Sequence, residues 1–192
     1  DEIVAKKTLR ACGVVGIFPA NAVGDDIEVY APDGSGAKLG TFHTLRQQEE
    51  REDATYYAMS DFIAPKASGK TDYIGAFAVS AGFGCEEICK KLREQNDDYT
   101  GIMMEAVADR LAEAFAELLH HKMRTELWGY APDEKLTPED MLKTKDRGIR
   151  PAPGYPTQPD HTEKRFLWEL LDVEAKTGIS LTDSLAMLPA AS

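Results

Sequence analysis

Positive charge is the first thing this sequence is short of. Twenty-two Lys and Arg residues face 33 Asp and Glu, for a formal net charge of −11. A nucleic-acid partner requires a basic face that can replace the counterions on phosphate, so none is expected, and the same sign disfavours an anionic lipid surface. Long apolar runs are missing as well. No stretch approaches the roughly 18 residues that mark a membrane-spanning helix, and Asp1-Glu2-Ile3-Val4-Ala5-Lys6 lacks the apolar centre of a signal peptide. The expectation is a chain of the cytoplasm, outside the membrane.

Cysteine is scarce too, with only Cys12, Cys85 and Cys89. An odd count with one helical i, i+4 pair and no second pair predicts free thiols rather than a disulfide framework or a zinc site. Metal and nucleophile motifs are equally thin. There is no HExxH or equivalent pair, and no Ser or Cys set beside a defined histidine. Ser68-Gly69-Lys70-Thr71 resembles the end of a phosphate-binding loop, but the position five before Gly69 is Ala64, where that motif needs glycine.

What is present is ordinary globular material. The 192 residues are 43% hydrophobic and 29% charged, which suits a single domain. The first half reads as short strands. Residues 2–11 suggest a short helix, followed by an apolar strand Val14-Val15-Gly16-Ile17-Phe18 closed by Pro19 and a turn over residues 21–26. Ile27-Glu28-Val29-Tyr30 alternates as a half-buried strand does, and a Pro32–Gly36 loop leads to another strand over residues 39–45. Close spacing favours antiparallel pairing. A charged run over residues 46–53, a short strand or turn at residues 56–59 and a flexible connection at residues 66–70 come next. Tyr73–Ser80 is nearly all apolar and predicts a central strand.

From Glu86 the pattern turns helical. A long helix is expected over residues 99–127, with Met103, Val107, Leu111, Ala114, Phe115, Leu118, Leu119 and Met123 as its apolar face. His120 and His121 would cap its negative end. Thr137-Pro138-Glu139-Asp140 has the cap, the first-turn proline and the acids of a helix start. Another start lies at Asp160-His161-Thr162-Glu163, with Gly178 ending that helix. Strands followed by helices give an α+β fold, an antiparallel or mixed twisted sheet packed with long helices.

Two features invite a chemical reading. Gly148-Ile149-Arg150-Pro151-Ala152-Pro153-Gly154-Tyr155-Pro156 holds three prolines that bar helix and stiffen the chain. It reads either as a rigid connector or as a preorganised binding loop. Arg150 could grip a carboxylate with its planar fork, Tyr155 could stack on a ring, and His161 could offer a neutral imidazole near a helix start. On the long helix, Glu105, Asp109 and Glu113 recur every four residues, either as a solvated face or as carboxylates for a cationic ligand or a partner's histidine. Asp109, Glu113 and His161 are also chemically fit to ligate a metal, which keeps a metal-dependent hydrolase among the alternatives.

Ordered matches along nearly the whole chain add a family. They include residues 13–21 (GVVGIFPAN), Leu45-Arg46-Gln47-Gln48, Asp61–Lys66 (DFIAPK) and Asp72–Val79 (DYIGAFAV). Further on come Ala108–Glu117 (ADRLAEAFAE), Trp128-Gly129-Tyr130, Gly148–Pro156, His161-Thr162-Glu163-Lys164 and Ser184-Leu185-Ala186-Met187. With these the chain resembles the S-adenosylmethionine-binding activation domains of cobalamin-dependent methionine synthases. The resemblance spans residues 1–192 as one such domain. It implies that Arg150, Gly154 and Tyr155 form the family's RxxxGY signature.

By that resemblance Arg150 holds the carboxylate of S-adenosylmethionine, the backbone around Ala152 and Pro153 meets its adenosine part, and Tyr155 stands by the cobalamin face. Glu113 would lie near the sulfonium, Asp109 towards the cobalamin module, and His161 among the ligand-binding residues. The implied role is reductive methylation of cob(II)alamin within a methyltransferase that acts on 5-methyltetrahydrofolate and homocysteine. Cobalamin would sit on a separate module, and a flavodoxin or flavoprotein reductase would supply an electron. This domain would contribute no catalytic residue, because the sulfonium is already an activated donor. The alternative is an interaction module that docks the cobalamin domain or flavodoxin without binding the nucleotide. Against the family pattern the chain also reads as short at both ends, lacking an acidic residue before Asp1 and a tyrosine pair beyond Ser192.

Overall fold

A computed structural model of the chain describes residues 8–50, 55–143 and 145–189. The expected helix at residues 2–11 falls mostly outside them, as does the end of the charged run at residues 51–53. The chain divides into two compact units. One contains the residues up to Val15, Phe77–Lys122 and those from Leu171 onward; the other contains Gly16–Ala76 and Met123–Leu170.

Strands β1 (Arg10–Val23), β2 (Asp26–Tyr30), β3 (Lys38–His43) and β4 (Asp72–Phe83) form a sheet in the order β3-β2-β1-β4. Both β1–β2 and β2–β3 pair antiparallel, as the short connections predict. β1 is longer than expected. Arg10, Cys12 and Gly13 are strand rather than helix end, and the strand runs through Pro19 to Val23. The turn to β2 shrinks to Gly24-Asp25, with Val23 opposite Asp26 and Gly24 at φ 63°, a conformation that favours glycine.

In the second unit, the alternation in β2 buries Ile27 and Val29 against Ala20, Phe42 and Ile74, with Phe166, Leu167 and Leu170 packed on this cluster. Gly40 is required there, since a Cβ would run into the Phe166 ring. The outward-facing Glu28 receives Lys38 at 2.8 Å and Lys66 at 2.6 Å, and these hydrogen bonds hold its carboxyl down to about 2. Of the strand or turn expected at residues 56–59, residues 56–58 carry no regular structure and Met59 opens a 3-10 turn over residues 59–62, while a second turn, Lys66–Ser68, lies in the connection at residues 66–70. The Asn21 side-chain amide fixes the second of them by donating to the Ala64 and Lys70 carbonyls.

β4 occupies the end of the sheet order among the described residues, not the centre. Its apolar content reflects cover on its faces. Gly75 lies beneath Met123 and Trp128 in one unit, and in the other Ala81 packs with Cys85, Cys89, Ala108 and Ala112. Apolar runs report burial and do not by themselves say how many neighbouring strands there are.

Helices α1 (Cys85–Glu94) and α2 (Asp98–Lys122) pack on each other in the first unit. The buried face of α2 is Gly101, Ala108 and Ala112, with Met104 partly buried beside them. The expected face is only partly correct, because Met103, Leu111 and Leu118 are exposed at 48%, 43% and 50%. Ala108 and Ala112, four residues apart, let α1 approach closely enough for Cys85 and Cys89 to touch them. A tally weighted by side-chain size follows the leucines instead. Cys85 and Cys89 are buried thiols 3.8 Å apart, and burial pushes the Cys85 thiol up to about 12.

His120 and His121 sit in the last α-helical turn, but the helical backbone continues as a π-turn, Met123–Leu127. Helix α3 (Pro138–Leu142) has the predicted start, with Asp140 N–H donating to the Thr137 hydroxyl at 3.2 Å. The last predicted helix is broken into α4 (Glu163–Leu171) and α5 (Val173–Thr177) by Asp172 at φ 53°, and Gly178 ends the second piece as expected. A short hairpin, β5 (Ser180–Leu181) with β6 (Met187–Leu188), was not foreseen. No helix among the described residues is long and apolar enough to cross a membrane.

The true buried face of α2 can be tested directly. Ala112→Leu overpacks the α1 contact and should destabilise the chain by roughly 1–3 kcal/mol. Leu111→Ala, on the exposed side, should shift stability by no more than about 0.5 kcal/mol. Urea unfolding of both variants checks the order.

Candidate functional site

The approach to the proline-rich loop of the second unit begins at a buried cation. In the π-turn, the Trp128 N–H donates to the Met123 carbonyl at 2.9 Å, and the Ala131 N–H returns to the Arg124 carbonyl at 2.9 Å. The Arg124 side chain has no solvent exposure. Its Nε and Nη2 donate to the Glu134 carboxylate at 2.9 and 2.8 Å. Nη1 lies 3.4 Å from Asp146 Oδ2, an ion pair without a hydrogen bond. Burial pulls the guanidinium pKa down, the two carboxylates push it up, and the net result is a rise. Arg124 therefore stays charged.

Beside it, Trp128-Gly129-Tyr130 forms an aromatic edge. Tyr73, Trp128 and Tyr130 meet in successive edge-on contacts, with centroids 6.4 and 5.2 Å apart. The Tyr130 hydroxyl donates to the Arg147 carbonyl at 2.9 Å, and a Cβ on Gly148 would come within 2.8 Å of the same hydroxyl.

The proline-rich stretch leaves this point as an exposed loop closed on itself. Tyr155 N–H donates to the Ala152 carbonyl at 3.1 Å, Gly154 N–H to the Gln158 carbonyl at 2.8 Å, and Gln158 N–H to the Tyr155 carbonyl at 2.8 Å. The Thr157 carbonyl accepts from Met59 N–H at 3.2 Å, so the far side of the loop is anchored as well. Of the three backbone donors between Pro151 and Pro156, Gly154 and Tyr155 are thus used inside the loop. The Ala152 N–H has no partner among the described residues. Arg150, Ala152 and Gly154 are exposed, Pro153 is half-buried, and the Tyr155 ring is 62% exposed.

Gly154 and His161 are in contact. Gly154 sits at φ 107°, and a Cβ there would run into the imidazole. His161 lies between two acids of unlike environment. Asp160 accepts the Thr162 N–H at 2.8 Å, which lowers its carboxyl pKa. Burial raises that of Glu163, although Glu163 accepts the His43 N–H at 3.0 Å.

Asp109 and Glu113 belong to the other unit, exposed on α2. Glu113 pairs with Arg110 at 2.6 Å, and Glu105 with Arg93 at 2.9 Å. These pairs give the acidic row the character of a solvated face. No group of three or more His, Cys, Asp or Glu among the described residues is set to hold a metal.

Sequence reasoning missed three residues that shape the loop. Gln158 is buried and closes the loop through its backbone, and Arg124 and Tyr130 hold its entry. The signal for Arg124 was available as an arginine four residues before an aromatic run and followed by scattered acids. Its burial was not, because arginines are seldom buried.

Comparison with known proteins puts this geometry in a family. The family model for "Vitamin B12 dependent methionine synthase, activation domain" matches residues 1–192. A crystal structure of the MetH reactivation domain bound to AdoHcy superposes with a TM-score of 0.94 at 53% identity, covering 100% of this chain and 59% of that one. The chain thus spans about three-fifths of the length of that relative. The α+β architecture is the fold of that reactivation domain. The loop from Gly148 to His161 is therefore part of a chain that belongs to the activation-domain family of vitamin B12-dependent methionine synthases.

Proposed function

We propose that this chain binds S-adenosylmethionine through the 148–161 loop and thereby serves the reductive methylation of cob(II)alamin in a methionine synthase. The observation that carries the reading is the loop's own arrangement. Of the three N–H groups between Pro151 and Pro156, Gly154 and Tyr155 are bonded within the loop and Ala152 is not, while Arg150 and Tyr155 stand exposed at either end. A guanidinium is suited to the ligand's carboxylate. The Ala152 N–H is suited to an acceptor nitrogen of adenine, with Pro153 alongside it. The Tyr155 ring offers a flat face, and His161 supports the bend at Gly154. The relative bound to AdoHcy adds weight, since that ligand is what S-adenosylmethionine becomes after giving up its methyl group.

The chain's part is to bind and orient. The donor is a sulfonium, and the acceptor cobalt would be supplied by cobalamin on a separate module. One electron from a flavodoxin-type protein or flavoprotein reductase and one methyl cation from the sulfonium complete the balance, releasing S-adenosylhomocysteine. Asp109 and Glu113 are proposed to take part through their exposed charge, with Asp109 towards the cobalamin-bearing module.

Titration calorimetry with S-adenosylmethionine tests the reading. Arg150→Ala should weaken binding by about 1.5–3 kcal/mol, the usual contribution of hydrogen bonds to a charged group. Equal affinity for both chains would remove the role given to Arg150. Gly154→Ala forces a Cβ against His161 at a positive φ. It should weaken binding and lower the melting temperature, with a backbone cost of order 1–3 kcal/mol; a thermal melt with and without ligand separates the two effects.

A further inference from the structure

The Trp128-Gly129-Tyr130 motif has no part in the ligand contacts just proposed, yet it meets the loop at its entry. We propose that Tyr130, seated by the buried Arg124, is a positioning residue that aims Arg150; this rests on the binding role given to that arginine above. Three contacts converge within three residues. Asp146 pairs with Arg124 Nη1 at 3.4 Å, the Arg147 carbonyl accepts from the Tyr130 hydroxyl at 2.9 Å, and Gly148 passes that hydroxyl so closely that a Cβ would lie 2.8 Å from it. Arg124 also holds the other partner, because its carbonyl accepts the Ala131 N–H next to Tyr130.

Little freedom remains beyond that point. Gly148 sits at φ 119°, a value few other residues adopt. Pro151 fixes its own φ and confines Arg150 to extended backbone. Between these two constraints only Ile149 and Arg150 have dihedrals to set. The direction in which Arg150 leaves the chain is thus governed by how the Arg147–Gly148 peptide is held, and Tyr130 holds it. Tyr130 itself is steadied by the edge of Trp128 at 5.2 Å. Burial raises the pKa of its hydroxyl, which keeps it protonated and able to donate.

The test uses the purified chain and two ligands, S-adenosylhomocysteine and 5′-methylthioadenosine, which shares the nucleoside but lacks the amino-acid carboxylate. Tyr130→Phe removes only the hydroxyl. It should weaken S-adenosylhomocysteine about three- to tenfold, the weight of one hydrogen bond, and leave 5′-methylthioadenosine unchanged. In an Arg150→Ala background the same substitution should have no further effect. Gly148→Ala, which displaces the hydroxyl from the other side, should give the same ligand-selective loss.

Equal weakening of both ligands, or losses that add in the double variant, would reduce Tyr130 to a general structural residue and overturn the proposal. Unchanged affinity in Tyr130→Phe with weak binding in Arg150→Ala would overturn this inference alone. Parent-like affinity in Arg150→Ala would overturn it together with the reading beneath it.

Discussion

A guanidinium shut away from water is the constraint on which the second unit's proline-rich loop depends. An unpaired charge at Arg124 would be intolerable there, so carboxylates must be brought to it from elsewhere in the chain. Glu134 and Asp146 are those carboxylates, and they come from either side of α3. Meeting the charge therefore gathers the whole stretch from the π-turn to the loop entry. Removing one partner from such a buried pair typically costs about 3–5 kcal/mol, far more than an exposed pair such as Arg110–Glu113 is worth. The π-turn contributes to this arrangement. One extra residue in the helical repeat rotates Arg124 inward while freeing carbonyls to receive Trp128 and Ala131.

Much of the fold could be read from the chain, for identifiable reasons. The β2 alternation, the Thr137 cap and Gly178 are local signals, and each appears where the residues put it. The failures came where burial depends on size rather than polarity. The α2 face is a case in point: alanines lie beneath α1 because leucines would hold the helices apart, and Leu111 and Leu118 are left outside. β4 was misplaced for a related reason, since cover from side chains resembles cover from strands when only composition is visible. Proline 19 misled in the opposite direction, by suggesting that a strand stopped where it continues.

The site was legible in part. Proline spacing announced a stiff segment, and on it the structure leaves Arg150, Gly154 and Tyr155 exposed. What could not be read was the fate of the loop's donors. Three N–H groups between Pro151 and Pro156 looked equally available, but Gly154 and Tyr155 are taken up by Gln158 and Ala152. Those bonds depend on how the chain returns at residues 157–161, and no residue pattern encodes that return. The contact between Gly154 and His161 belongs to the same return. The link from Tyr130 to the Arg147 carbonyl spans 17 positions and is equally silent in the sequence.

Those internal bonds change what the loop is for. A segment of free donors could adapt to many ligands, and each ordered rotor would subtract from affinity. Here the backbone has already been ordered by its own hydrogen bonds, by two prolines in sequence alternation and by Gly148 and Gly154 at conformations that other residues resist. The ordering cost has been met in folding rather than in binding. A loop of this kind presents the Ala152 N–H and the exposed Arg150 and Tyr155 side chains from a backbone that is already ordered. Such a pattern discriminates by shape, and it explains why stiffness that first suggests a mere connector is equally the property that a recognition loop requires.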